Sequence, residues 1–194
     1  MSELNTEHLS QDLRHHLQAI IAENQRLAEQ LDYGQVAALI PLIQHAERVF
    51  VVGAGRTGLA LKAAAMRLMH LGLRVFVVGE TTTPAIRKGD LLLAGSGSGT
   101  TSTIVKAAEK ASAAGAQVVA ISTTTTSPLA VLATQVIVLP AAQKQDHGGT
   151  ISQQYAGSLF EQAVLLLTDA IFQGLWALDG TPAEELWKRH ANLE

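Results

Sequence analysis

Apolar residues recur along this chain in two rhythms. From about Ser10 to Leu31 they fall at helical spacing, at Leu13, Leu17, Ile20, Ile21, Leu27 and Leu31, with Gln, Glu and Arg between them. That spacing predicts an amphipathic helical arm, free either to pack on the body or to pair with another subunit. Val36, Leu39, Ile40 and Ile43 predict a second, short helix that Pro41 bends or breaks. Beyond them, short apolar runs alternate with helical patterns. Arg48–Val52, Arg74–Val78, Leu91–Ala94, Gln117–Ser122 and Gln135–Leu139 read as buried strands. The intervening helices run to Leu71 with a stop at Gly72, from near Thr100 or Thr101 to Gly115, and from Ser127-Pro128, with Ser as N-cap and Pro in the first position. Phe160, Val164, Leu165, Leu167, Ile171, Leu175 and Leu178 mark a long, largely buried helix, and Thr181-Pro182 precedes a last one from Ala183 to about His190.

Strands alternating with helices at this spacing imply an α/β fold, a parallel sheet with helices on both faces. Right-handed crossovers bring the loops after Val52, Ala94 and Ile121 to one rim. The reading is of a single domain over 1–194, with a helical arm at about 1–46, a sheet core at about 47–140 and C-terminal helices at about 153–190. Pro140 to about Gln154, which includes Gly148-Gly149, is the longest loop and a candidate lid or site wall.

Composition narrows the function. With 47% apolar and 16% charged residues over 194 positions, the chain can bury a substantial core. A net charge of −3 and the lack of a Lys/Arg cluster argue against a nucleic-acid partner. The absence of cysteine removes disulfides, thiolate metal sites and cysteine nucleophiles. A polar, acidic start and the lack of a membrane-length apolar run suggest a cytoplasmic protein.

The stretch most charged with chemistry follows the third strand. Gly95, Gly97 and Gly99 allow close backbone approach, and Ser96, Ser98, Thr100, Thr101 and Ser102 surround it with hydroxyls and helix-opening amides. This is either an anion trap suited to a phosphate monoester or a plain strand-to-helix turn. The Walker lysine is missing, which disfavours a nucleoside triphosphate. Gly53-Ala-Gly-Arg-Thr-Gly58 matches Gly-x-Gly-x-x-Gly, with Glu80 after the next strand, so a dinucleotide reading ranks second. Arg56, His70 and Glu161 each have a bland explanation: covering helix ends for Arg56, and complementing a helix dipole for the other two.

Six ordered motifs shift that balance: Gly53-Ala-Gly-Arg-Thr-Gly58, Met66-Arg-Leu-Met-His-Leu-Gly72, Val78-Gly-Glu-Thr-Thr-Thr-Pro84, Gly95-Ser-Gly-Ser-Gly99, Gly157-Ser-Leu-Phe-Glu-Gln162 and Arg189-His-Ala-Asn-Leu193. Together, from about Ser10 to the C-terminus, they resemble the 6-phospho-3-hexuloisomerases of the sugar isomerase (SIS) domain superfamily. The resemblance implies a three-layer α-β-α sandwich around a five-stranded parallel sheet, a homotetramer with sites near subunit interfaces, and a sugar phosphate substrate. The implied reaction converts arabino-3-hexulose 6-phosphate into fructose 6-phosphate in the ribulose monophosphate route of formaldehyde fixation. No cofactor and no metal are implied, and the histidines outside His70 and His190 show no ligand spacing. Glu161 would be the base that moves a proton between C2 and C3, and His70 a proton shuttle between O2 and O3 or a group that orients them, with ring opening of fructose 6-phosphate in reverse as the alternative. Arg56 would bind sugar oxygens or enediolate charge, and Gly95 to Thr101 the phosphate; Ser122, His190 and Asn192 are further candidates. Thr100 and Gln154-Tyr-Ala156 depart from common Glu and Gln-Pro-Met, which bears on fine substrate preference.

Overall fold

The five apolar runs form one parallel sheet in the order β2-β1-β3-β4-β5. In the computed structural model, which describes residues 6–146, 149 and 151–193, the strands are β1 (Val49–Gly53), β2 (Val75–Val77), β3 (Leu91–Gly95), β4 (Gln117–Ser122) and β5 (Gln135–Val138). The polar start at 1–5 and Gly148 of the long loop lie outside the described residues.

Successive side chains of a strand point to opposite faces, and each set meets its own helical layer. Val49, Val51, Leu91, Leu93, Val119, Ile121 and Ile137 pack with α1 (Thr6–Glu29), α2 (Tyr33–His45), α3 (Gly55–His70) and α6 (Ser158–Asp179). Phe50, Leu92, Ala94, Val118 and Ala120 pack with α4 (Ser102–Ala113) and α5 (Pro128–Leu132). The result is the α-β-α sandwich, with β3 buried on both faces as its unbroken apolar run requires. Truncating Leu92 or Leu93 to Ala would cost about 2–5 kcal/mol. The turn before β3 is held by Asp90, which accepts from Arg48 Nε (2.9 Å), Arg48 Nη2 (2.6 Å) and the Arg87 amide (2.8 Å).

Two local expectations give way to tertiary forces. Pro41 does not break α2. Asp32 caps the helix by accepting from the Gly34 and Gln35 amides, and buried Leu39 and Ile43 clamp it on either side of Pro41. The Pro41 carbonyl keeps a partner in the His45 ring, at 2.7 Å. The last helix, α7 (Ala183–Trp187), stops short of His190 because the Arg189 and His190 amides bond three residues back, to Leu186 and Trp187, tightening the chain out of the α-helix. α1 divides into two parts: Leu9, Leu13, Leu17 and Ile21 are exposed, whereas Glu23 and Leu27 further on are buried.

Candidate active site

In this strand order the chain leaves β1 towards one edge of the sheet and β3 towards the other, which opens a crevice beyond the ends of those two strands. A cavity of about 320 Å³ lies there, lined by Thr57, Ser96, Ser98, Thr101, Lys144 and Phe160 among others. α3 can approach β1 because Gly58 has no side chain: a Cβ there would come within 2.6 Å of the Gly53 carbonyl oxygen. This packing accounts for the Gly-x-Gly-x-x-Gly spacing. Glu80 pairs with Lys62 at 2.6 Å and is not among the residues lining the cavity, so the dinucleotide reading loses its acid.

The loop after β3 is braced from behind. The Gly97 carbonyl accepts from Ser122 Oγ (3.1 Å), Thr123 Oγ1 (2.8 Å) and the Thr123 amide (3.1 Å). Ser96 Oγ accepts from the Gly99 amide (3.2 Å) and lies 3.1 Å from Thr101 Oγ1; Ser98 Oγ accepts from the Thr100 amide (3.3 Å) and lies 2.9 Å from Thr100 Oγ1. Gly99 has φ +64°, and a Cβ on it would stand 1.9 Å from Ser127 Oγ, so only glycine fits. Thr101 is the N-cap of α4, and its side chain makes no capping hydrogen bond. The opening amides of α4 are therefore not taken by that hydroxyl and suit an anion. Ser122 is fully buried and acts on this loop from behind, outside the cavity lining.

Beside the loop stands a carboxylate. Glu161, in the first turn of α6, is 6% exposed; its Oε2 lies 3.0 Å from Arg56 Nη1 and its Oε1 3.4 Å from Lys144 Nζ. Arg56, in the first turn of α3, also donates to Ser158 Oγ at 3.0 Å. Phe160, the neighbour of Glu161, places its ring 3.5 Å from where a Gly97 Cβ would be, so α6 and the loop touch. An acid with two cations beside a hydroxyl-rich anion seat can accept a proton from a bound phosphate ester and balance charge on its oxygens.

Comparison with known proteins places this arrangement. The SIS domain model matches residues 42–166. The chain belongs to the SIS domain family. A Mycobacterium gastri relative named 3-hexulose-6-phosphate isomerase is 56% identical over 183 residues, covering 94% of this chain and 92% of the relative. The protein of that name from Bacillus subtilis (strain 168) is 37% identical over 153 residues, 78% of this chain and 83% of the relative. The crystal structure of a hypothetical protein from Methanococcus jannaschii, said to infer a molecular function of 3-hexulose-6-phosphate isomerase, superposes with a TM-score of 0.79 at 30% identity over 93% of this chain and 99% of that one.

Within this SIS protein, one group of candidates draws together and another does not. Gly95 to Ser98, Thr100 and Thr101 line the cavity; Arg56 and Glu161 are not in its lining and are joined to it through Lys144, which is. His70 ends α3 at the other side; at about 1.5 Å of rise per residue it stands about 20 Å from Arg56 along the axis. There it stacks on His190, with ring centroids 3.9 Å apart, and His190 in turn meets Trp187 at 4.5 Å. Arg189 Nη1 donates to the His70 carbonyl at 2.7 Å, covering the end of α3. Removal from water, then the neighbouring His190 and Arg67, hold the His70 pKa below the ordinary imidazole value.

Two residues escaped the sequence reading. Lys144, in the long loop, lines the cavity, and only its position in that loop hinted at a role. Glu23, near the end of α1, is buried and accepts from Ser152 Oγ (2.6 Å), the Gln153 amide (2.8 Å) and Gln154 Nε2 (2.8 Å). Burial works to raise its pKa, but these hydrogen bonds and Arg26 outweigh it and hold the carboxyl below its usual value. Gln154 also accepts from Gln162, next to Glu161, so the arm, the loop wall and the start of α6 are joined.

Proposed function

We propose that this chain interconverts arabino-3-hexulose 6-phosphate and fructose 6-phosphate through an enediolate, the isomerase step of the ribulose monophosphate route. Identity of 56% to the Mycobacterium gastri isomerase over nearly all of both chains supports the activity and its substrate. The observation that carries the mechanism is Glu161, buried between Arg56 and Lys144, the latter lining the same cavity as the Gly95–Thr101 loop. The loop holds the phosphate through hydroxyls and amides. Glu161 lifts the proton from C2, the electron pair of that bond forms the C2=C3 double bond, and charge gathers on O3 opposite Arg56. Glu161 then gives a proton to C3, either the one it lifted or one exchanged with solvent, as the hydroxyl at C2 becomes the carbonyl, so the base ends as it began. The 3-ketose closes no ordinary ring, so the forward direction needs no ring-opening acid, and His70 serves proton movement between O2 and O3.

Because His70 and Glu161 lie at opposite ends of α3, both act on one sugar only if the site is shared between subunits. The exposed apolar edge of α1, Leu9, Leu13, Leu17 and Ile21, supports assembly through the arm, and on this reading the protein works as a cytoplasmic homotetramer. A coupled assay that follows consumption of 3-hexulose 6-phosphate tests the activity. Ser98→Asp, which sets a negative charge against the phosphate, should abolish most of the rate in that assay by weakening binding; full activity in the variant would move the phosphate elsewhere.

A further inference from the structure

In the free protein each carboxylate oxygen of Glu161 faces a cation, Oε2 facing Arg56 and Oε1 facing Lys144. Each oxygen keeps a further lone pair, but a cation in front of it occupies one of the approaches that a C–H bond would use. The two cations are not held alike. Arg56 belongs to the first turn of α3 and is also tied to Ser158. Lys144 sits in the loop after β5, its side chain 63% exposed and its ammonium at the longer distance of 3.4 Å. Its stem passes over Gly157, where a Cβ would stand 3.1 Å from Lys144 Cγ, and its ammonium lies 3.8 Å from where a Gly55 Cβ would be. It therefore bridges the mouths of α3 and α6. Among the described residues that line the cavity, Lys144 alone carries a positive charge. The Gly95–Thr101 loop offers hydroxyls and amides but no full charge, whereas a phosphate monoester brings about −1.5 to −2.

We infer that Lys144 is a counter-ion released by substrate: it rests on Glu161 in the free protein and passes to the substrate phosphate in the Gly95–Thr101 loop, which bares Glu161 for proton abstraction. This role presupposes Glu161 as the base and the loop as the phosphate seat, and adds that one flexible side chain links them. An unphosphorylated sugar would leave the base capped. Linkage is reciprocal: if Lys144 must leave Glu161 to reach phosphate, removing the carboxylate charge tightens phosphate binding, and does so only while Lys144 is present.

The test is a double-mutant cycle read by calorimetry, titrating inorganic phosphate and fructose 6-phosphate into the parent protein, Lys144→Met, Glu161→Gln and the double variant. Lys144→Met, which keeps the length of the stem, should weaken both ligands about tenfold, and Lys144→Arg should keep most of the affinity. Glu161→Gln should tighten phosphate about three- to tenfold, and the double variant should bind no better than Lys144→Met. A gain from Glu161→Gln that persists without Lys144 would mean plain charge repulsion and would overturn the linkage, as would unchanged affinity in Lys144→Met. Turnover of Glu161→Gln is scored separately: a fast variant defeats the base assignment, while the binding cycle still reads Lys144.

Discussion

Helix α3 carries a cluster at each end, and the two are built differently. At its start, Arg56 reaches Glu161 of α6, and the loop after β3 is pinned by Ser122 and Thr123 donating to the Gly97 carbonyl and by the Gly99 amide donating to Ser96. At its finish, His70 is buried under His190 and a short terminal helix, held by ring stacking and a single Arg189 hydrogen bond to the helix end. The first cluster gathers charges and oxygen ligands around a cavity; the second packs rings together against the body. One helix cannot bring both ends to one small sugar, since about 20 Å separates them. On the proposed mechanism the chemistry within one chain falls to the first cluster, and the second would join it only across a subunit boundary.

The largest effect expected is at Glu161. Glu161→Gln keeps the shape but cannot accept a proton, so kcat should fall by about 10²–10⁴ with no loss of sugar phosphate binding. In heavy water the parent, run with fructose 6-phosphate, should place solvent deuterium at the reacting carbon and the variant should not. A nearly unimpaired variant would shift the base to the other end of α3. Next, His70→Ala should lower kcat by about 10–100-fold if the rings join a neighbour's crevice. Dissociating and remixing Glu161→Gln with His70→Ala should then restore about a quarter of the sites, because one site in a mixed pair inherits both native residues. No recovery on remixing would confine His70 to a packing role. Gly99→Ala should weaken sugar phosphate binding at least about tenfold, because a left-handed non-glycine residue costs about 1–3 kcal/mol before the clash with Ser127 is counted.

The smallest effect separates the two ends by pH. His70 has a lowered pKa in the folded protein, so it contributes stability in full above the ordinary imidazole value of 6.5, and loses it as pH falls through the lowered value. Thermal unfolding of the parent compared with His70→Gln from pH 7.5 down to 5 should show the parent losing more of its melting temperature than the variant. Equal losses would mean that His70 gains a proton in the fold as easily as out of it.

Most of the fold was legible because strands buried on both faces leave unbroken apolar runs, and Ser127-Pro128 announces a helix start in one dipeptide. The Gly/Ser loop between β3 and α4 was legible too, since Gly99 and the hydroxyls around it are local. Pro41 does not break α2, because a local rule about a missing amide is weaker than Leu39 and Ile43 clamped in the core. Lys144 was invisible because a lysine in a polar loop looks like any solvated charge until α3 and α6 close around it. Glu23 was invisible for the opposite reason: on an amphipathic helix a glutamate reads as the wet face, and its burial depends on Ser152 to Gln154, far along the chain. The motifs named His70 but not its surroundings, because its stacking on His190, and of His190 on Trp187, depends on how the terminal helix packs back on α3.

Glu23 bears on where the portable unit of this protein ends. The family match spans residues 42–166 and so contains the sheet, the anion loop, Arg56, Lys144 and Glu161, yet it omits the carboxylate that holds Ser152, Gln153 and Gln154. A graft or excision made at those borders would carry Arg56, Lys144 and Glu161 and leave Ser152 to Gln154 without their strut. The arm is therefore part of what holds the loop wall, and a recombined gene that takes residues 42–166 without it takes an unbraced loop.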